Sequence, residues 1–110
     1  MANNMQKYDD AVVRLSAQDQ LALLLSIDTC FLCGLSFNTF LERVISHVTN
    51  PAKKAVWTEA GIDLAAGKEI YEILVKTGFF STQIEAIFLT VQEPNLAIKS
   101  ALKFLGVTSG

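Results

Sequence analysis

The stretch that decides the fold is residues 36–51, SFNTFLERVISHVTNP. Its apolar residues recur at steps of three and four, the spacing of one face of an α-helix. These apolar residues are Phe37, Phe40, Leu41, Val44, Ile45 and Val48. Ser36 is a favoured helix N-cap, and Asn50 followed by Pro51 is typical of another helix start, because proline suits the first helical position. The stretch therefore predicts an amphipathic helix from Ser36 to Thr49 and the beginning of the next.

Start and stop signals on both sides predict the remaining helices. Toward the N-terminus, Ser16 and Asp19 resemble a capping box, and the helix that follows over 17–33 is ended by Gly34. Toward the C-terminus the predicted helices run from Pro51 to Gly67, over 68–76 up to Gly78, from Ser81 to the Glu93-Pro94 break, and from the cap Asn95 to Gly106. The last helix has an apolar stripe of Leu96, Ile98, Ala101, Leu102 and Leu105. Because no hairpin turn signal and no sustained alternation of apolar and polar residues accompanies them, the predicted fold class is all-α, a compact bundle of about six short helices.

The composition is that of one soluble domain. The 110 residues are 51% hydrophobic and 18% charged, and 9 basic against 11 acidic side chains give a formal net charge of −2. Such a chain is too apolar and too weakly charged to be disordered. The slight acidic excess argues against a nucleic-acid partner, which requires a basic surface. We assign residues 1–15 to an N-terminal extension, 16–106 to the helical domain and 107–110 to a C-terminal tail.

One segment, residues 21–37, is apolar enough to raise the question of a membrane span. A span needs about 20 apolar residues, and Asp28 near the middle is expected to cost roughly 2.5 to 3.5 kcal/mol on insertion scales. We therefore predict a buried helix of a soluble domain. The first ten residues lack the cationic start and apolar run of a secretory signal, so a cytoplasmic location is expected.

Two cysteines three residues apart, Cys30 and Cys33, could indicate zinc or redox chemistry. A structural zinc site needs four ligands, and the chain adds only one histidine, His47, to these two thiols. A redox pair is expected at a helix N-terminus, where the helix dipole lowers the thiol pKa, but this pair falls late in an apolar helix. We therefore expect the cysteines to be packing residues.

The other polar residues do not form a recognisable active site. His47 has no nucleophile or carboxylate at a typical spacing, so a surface or capping histidine is expected. Glu69 and Glu72 could imitate a catalytic carboxylate pair, but two acids on a solvated helix face are the commoner case. Lys53-Lys54 is interpreted as a solvated helix start. We predict no catalytic residue, no cofactor and no metal site.

The most informative acidic residue is Asp28, which lies inside an apolar helix. An unpaired carboxylate in a protein interior is costly, so such a residue finds a hydrogen-bonding partner or faces an interface. The sequence leaves both alternatives open, a pairing at a helix end and a place in an interaction surface.

Four short motifs follow one another over residues 17–105. They are LALLL (21–25) leading to CGLSF (33–37), GKEIYEIL (67–74), TGFFS (77–81) and QEPNLAIKSAL (92–102). Their order and spacing resemble the cytoplasmic domain of the GspF/PilC family, the polytopic inner-membrane platform proteins of type II secretion and type IV pilus assembly. The sequence departs from the family pattern in the closing motif, where Gln92 replaces a glycine and the stretch from Glu93 to Leu96 is two residues shorter. Ser81 replaces the proline of the third motif.

Five residues carry these motifs structurally. They are Gly34, Gly67, Phe79, Phe80 and Glu93. The glycines allow sharp turns between helices, the two phenylalanines can anchor their connection in the core, and Glu93 can accept amide hydrogen bonds at the start of the last helix. Some family members are described with a metal near the closing motif, but only Glu93 matches the acidic position here, so no metal is expected.

The resemblance implies a non-enzymatic domain that precedes transmembrane helices in the intact protein, at the cytoplasmic face of the bacterial inner membrane. Its partners would be the cytoplasmic assembly ATPase and other inner-membrane components of the machinery, and the intact platform would be a homo-oligomer. An interaction surface should combine exposed apolar residues with charges. The candidate residues are Lys99 and Lys103 beside Phe104 on the sixth helix, together with Asp28.

Three other classes of protein remain as alternatives. A stand-alone helical interaction module, similar to an immunity protein or a death-fold domain, fits the same length and helix count. A helix-turn-helix regulator is less favoured, because its recognition helix should be basic and the second helix has only Arg43 against Glu42. An enzyme is least favoured, because no acid, base and nucleophile occur at a recognisable spacing.

Overall fold

The computed structural model describes residues 15–107, and these form a helical bundle. The six helices are α1 (Ala17–Leu32), α2 (Phe37–His47), α3 (Pro51–Ala65), α4 (Ile70–Lys76), α5 (Thr82–Val91) and α6 (Pro94–Phe104). Within this range there is no β-strand, so the prediction of an all-α bundle is confirmed. Most of the predicted N-terminal extension and C-terminal tail lies outside the described residues.

Polar caps fix where the helices begin. The hydroxyl groups of Ser16, Ser36 and Ser81 each accept a hydrogen bond from the backbone N–H three residues later. The Asn50 side chain does the same for α3, accepting from the Lys53 N–H at 3.0 Å. Each bond satisfies one of the backbone donors that a helix leaves unpaired at its N-terminus.

The start of α6 differs from the prediction. Glu93, not Asn95, is the N-cap, and its Oε2 accepts from the Leu96 N–H at 2.7 Å. The cap shifts because Pro94 takes the first helical position, which suits its fixed φ and missing N–H. Other boundaries also differ. The helix α2 ends at His47 instead of Thr49, since Val48 is already extended ahead of the next cap, and α4 begins at Ile70 instead of Lys68, with Glu69 as its N-cap.

Consecutive helices pack against each other along the chain, and α6 returns to pack against α1. The last helix also contacts α4, so the bundle is closed by its first and last helices. This return places two helices that are distant in sequence side by side, and the candidate site lies between them.

The core contains two groups of aromatic rings. Phe80 packs edge-on against Phe88 at a centroid distance of 5.2 Å. Trp57 of α3 contacts Phe40 of α2 at 5.7 Å and Phe79 at 5.1 Å. Phe79 and Phe80, which the sequence places as anchors of the α4–α5 connection, are both fully buried.

A buried glutamine, Gln20, joins the start of α1 to the start of α5. Its Nε2 donates to the Leu15 carbonyl and its Oε1 accepts from the Ser81 N–H, each at 3.0 Å. Both polar ends of the side chain are therefore satisfied, which is the condition for burying it without a large penalty. The sequence gives no local signal for this contact, because Gln20 and Ser81 are 61 positions apart.

Left-handed turns end α1 and α3 at the two motif glycines. Gly34 has φ +76° and Gly67 has φ +89°, a region that glycine enters without steric cost. No helix within residues 15–107 has the length and apolar character needed to cross a membrane.

Gln92 adopts a backbone conformation that favours glycine. It has φ +65° and ψ −37°, and it is the one non-glycine residue with positive φ among those described. The Glu93 N–H donates to the Val91 carbonyl at 2.7 Å, which closes a three-residue γ-turn between α5 and α6. The closing motif of the GspF/PilC family has glycine at this position.

We expect Gln92→Gly to raise the free energy of unfolding by about 0.5 to 1 kcal/mol. Relief of the positive φ stabilises the folded state by about 1 to 2 kcal/mol. The greater freedom of glycine in the unfolded chain lowers the free energy of unfolding by about 0.5 to 1 kcal/mol. Urea denaturation measures the change. The matched control is Gln83→Gly within α5, which should be destabilising, and equal loss in both variants would contradict the strain at Gln92.

Candidate functional site

A surface cavity of about 580 Å³ lies between α1 and α6. Its lining residues are Leu25, Asp28, Lys99, Ser100, Leu102, Lys103 and Val107. We call this cavity the α1/α6 groove. It brings together the three residues Asp28, Lys99 and Lys103, which the sequence analysis named as a candidate interaction surface.

An ion pair joins α1 to α6 within the groove. The Lys99 Nζ lies 3.2 Å from the Asp28 Oδ1, and the Asp28 side chain is only 14% exposed. Lys99 gives this largely enclosed carboxylate the partner whose absence would be costly. Of the two alternatives for Asp28, pairing at a helix end does not apply, since its partner is on another helix. Asp28 is both paired and part of the groove.

Lys103 has a different environment from Lys99. It lies one helical turn further along α6, is exposed, and makes no ion pair with any residue in the range 15–107. With Asp28 and Lys99 balancing each other, Lys103 gives the groove a net positive charge. The chain as a whole has a formal net charge of −2, so the groove is opposite in sign to the average surface.

Exposed leucines flank the ion pair along both helices. On α1, Leu21, Leu25, Asp28 and Leu32 are spaced by four, three and four residues and share one face. Leu25 is 40% exposed and Leu32 is 71% exposed, while Leu96 of α6 is 58% exposed. These exposures correct two predictions, the buried helix over the apolar segment 21–37 and the single apolar stripe that included Leu96 on the last helix.

The reason for these errors is the density of leucine in α1. Leu24 and Ile27 fill the core-facing side of the helix completely, so the leucines on its other faces have no room inside. In α6 the same holds for Ala97, Ile98, Ala101 and Leu102, which are buried.

Phe104 does not line the α1/α6 groove, although the sequence analysis grouped it with the two lysines. It is 54% exposed and follows Lys103 directly, so it points about 100° further around the helix. The predicted surface is therefore divided between two faces of α6.

The two cysteines and His47 line a second cavity, of about 490 Å³, between α1 and α2. Cys30 is buried, as a packing residue should be, whereas Cys33 is exposed because it is the C-cap of α1. The His47 Nδ1 lies 2.8 Å from the Arg43 carbonyl oxygen and 3.1 Å from the Ser46 hydroxyl, so the ring is held by its own helix. No three His, Cys, Asp or Glu side chains in the described part of the chain are grouped to hold a metal ion.

The glutamate pair considered as a possible catalytic pair has a local structural role. The Glu69 N–H donates to the Glu72 carboxylate at 3.2 Å, at the first turn of α4. This is one half of a capping box, in which an acidic residue satisfies a backbone donor and favours the positive end of the helix.

A buried carboxylate, Asp63 of α3, forms an ion pair that the sequence analysis did not find. Its Oδ2 lies 3.0 Å from the Lys76 Nζ of α4, and Glu59 lies 3.5 Å from the same nitrogen. The hydrogen bond to Asp63 raises the pKa of Lys76 above its ordinary value of 10.5. This pair joins α3 to α4 at a place away from the α1/α6 groove.

We expect Lys76→Gln to lower the urea midpoint at pH 7, because Asp63 then stays buried without its cation. A raised folded pKa means that the contribution of Lys76 is present below its unfolded value of 10.5 and is lost as the pH rises through the folded value. The difference between wild type and variant should therefore shrink above pH 10.5. Lys54→Gln on the surface of α3 is the control. A difference that stays constant as the pH rises well above 10.5 would contradict the role of the pair.

Comparisons with protein-family models, with curated proteins and with solved structures found no match to this chain.

Proposed function

We propose that the chain is the non-enzymatic cytoplasmic domain of an inner-membrane platform protein of the GspF/PilC type. In this role it docks the assembly ATPase and other components of a type IV pilus or type II secretion machinery. The observation that carries the proposal is the α1/α6 groove, where exposed leucines surround a bridging ion pair and an unbridged lysine. A concave apolar surface with a few placed charges is typical of a binding site for another protein.

The order of the motifs supports the platform assignment, and the local backbone gives it a physical basis. Gly34 and Gly67 have positive φ at the helix ends where the family motifs have glycine. Gln92 has positive φ where the closing motif has glycine, and Glu93 caps the helix that this motif opens. The residue preferences of the family therefore agree with the conformations of this chain at four positions.

The proposed role is mechanical and requires no catalytic group. The domain would present its groove at the cytoplasmic face of the bacterial inner membrane, held there by membrane segments outside this sequence. The intact platform would act as a homo-oligomer, so that movement of the ATPase passes to several copies together.

We expect Lys103→Glu to weaken binding of the cognate assembly ATPase by about tenfold, because it reverses the unbridged charge of the groove. Lys103 is the better position for this test, since Lys99→Glu would place a second carboxylate against Asp28 and disturb the fold as well. Calorimetry or surface plasmon resonance measures the affinity, and circular dichroism checks that the helical content is intact.

Lys54→Glu makes the same charge change on α3 and is the matched control. Its affinity for the ATPase should equal that of the wild type. If wild type binds the ATPase and Lys103→Glu binds equally well, this face is not the docking surface. If the wild type does not bind at all, the platform assignment itself is contradicted.

A further inference from the structure

We infer that the α1/α6 groove, together with the exposed Leu32 and Leu96 beside it, binds one acidic amphipathic helix, at least about two turns long, from the partner protein. The inference rests on the proposed docking function and specifies the chemistry of the segment that is docked. It follows from three properties of the groove, which are its length, its apolar walls and the place of its free charge.

The length follows from how the two helices run. Asp28 contacts Lys99, while Leu25, which precedes Asp28, shares the groove with Lys103 and Val107, which follow Lys99. The chains of α1 and α6 therefore run in opposite directions. The exposed leucines of this face of α1, Leu25 and Leu32, are separated by about 10 Å along the helix, which is the length of about two helical turns.

The apolar walls match one face of a helix. Leu25 lines the groove, whereas the exposed Leu32 and Leu96 lie beyond the Asp28–Lys99 ion pair and outside the cavity lining. Exposed leucines thus lie on both sides of the ion pair, and Leu25 and Leu32 are separated by roughly two turns. A helix with apolar residues at positions i, i+3 or i+4 and i+7 can contact the leucines on both sides at once, which is the usual way a helix binds in a groove.

The charge distribution selects the polar residues of the occupant. Lys103 is the unbridged cation, and the Asp28 carboxylate at the centre already holds Lys99 at 3.2 Å. An acidic residue at the Lys103 end gains a partner there, whereas a basic occupant meets an uncompensated like charge. The occupant should therefore carry its acidic residues at the end that contacts Lys103 and a neutral residue opposite Asp28.

Two synthetic helical peptides of fourteen residues test the inference. They share one leucine face and a neutral residue opposite Asp28, and the polar positions at the end that contacts Lys103 are glutamate in the acidic peptide and lysine in the basic peptide. Fluorescence anisotropy at low ionic strength should show the acidic peptide binding at least about tenfold tighter. Since the chain is net negative, non-specific attraction would favour the basic peptide instead.

Four variants test whether the peptides bind in the α1/α6 groove. Lys103→Glu should remove the preference for the acidic peptide, and Leu25→Ser should weaken both peptides, while Lys54→Glu should change neither. Asp28→Asn should tighten binding of the acidic peptide several-fold, because it frees Lys99 and removes the central carboxylate. Amide chemical shifts in a two-dimensional NMR spectrum should move at Leu25, Lys103 and Val107.

Equal affinity for the two peptides, or an acidic preference that survives Lys103→Glu, would overturn the inference. The test separates this inference from the proposed function. Acidic peptide binding without ATPase binding would contradict the platform role and leave the groove chemistry standing. ATPase binding without any peptide preference would contradict the groove chemistry alone.

Discussion

Replacing Phe80 with alanine is expected to lower the free energy of unfolding by about 3 to 5 kcal/mol. The Phe80 side chain is 0% exposed, and its ring packs edge-on against Phe88 with an interplanar angle of 84°. Truncation removes this buried surface and leaves a cavity that the closed bundle can fill only in part. Since a domain of this size has about 5 to 15 kcal/mol of stability in total, the variant should lose a large fraction of it.

The control for Phe80→Ala is Phe104→Ala, the same chemical change at an exposed position of α6. Its effect should be within about 1 kcal/mol of zero, because its ring is largely in water already. Urea denaturation followed by circular dichroism measures both. Similar midpoints for the two variants would show that the core has been assigned to the wrong side of the α4–α5 connection.

Replacing Trp57 with alanine is expected to cost a similar amount, about 3 to 5 kcal/mol, for a different reason. Trp57 is 4% exposed and touches rings from two other parts of the chain, Phe40 of α2 and Phe79 after α4. It is therefore one of the contacts that hold α3 to its neighbours. Aromatic pairs add about 0.5 to 1.5 kcal/mol beyond the area they bury.

Ile62→Ala on the same helix is the control for Trp57→Ala. Ile62 is exposed, so its truncation should leave the urea midpoint within a small shift of the wild type. Circular dichroism is the suitable signal, because Trp57 is the single tryptophan of the chain and the variant loses its fluorescence. An unchanged midpoint in Trp57→Ala would contradict the packing of α3 described above.

The fold class and most helix boundaries could be predicted because they depend on neighbours in sequence. Ser36 caps α2 through the N–H of Thr39, and Asn50 caps α3 through that of Lys53, each within three residues. The periodicity of α2 indicates its buried face in the same local way, and Phe37, Phe40 and Leu41 are buried. The predicted N-cap of α6 was wrong because two capping candidates, Glu93 and Asn95, flank Pro94.

The candidate site was harder to predict because its parts are distant in sequence. Asp28 and Lys99 are 71 positions apart, and nothing local indicates that α6 returns to α1. Asp28, Lys99 and Lys103 were predicted together as a candidate interaction surface, and the packing of the two helices brings them into one groove. The exposed leucines were missed for the same reason, since which leucines face the core depends on where the other helices lie.

The positive φ of Gln92 could not be predicted from the residue itself. A glutamine before Glu93-Pro94 does not by itself indicate a left-handed turn, because glutamine usually avoids positive φ. The GspF/PilC motif that this stretch resembles has glycine there, and the γ-turn at Gln92 is a conformation that glycine adopts without strain. The departure from the motif therefore has a physical meaning, a strained turn in place of a relaxed one.

The platform role is tested most directly by sequencing the gene of the source organism beyond the codon for Gly110. If the proposed platform role is right, an apolar span of about 20 residues is encoded soon after this codon, followed by a second copy of the helical pattern and further spans. A stop codon close to Gly110, with no such span, would contradict the platform role and would leave a stand-alone helical interaction module that uses the α1/α6 groove.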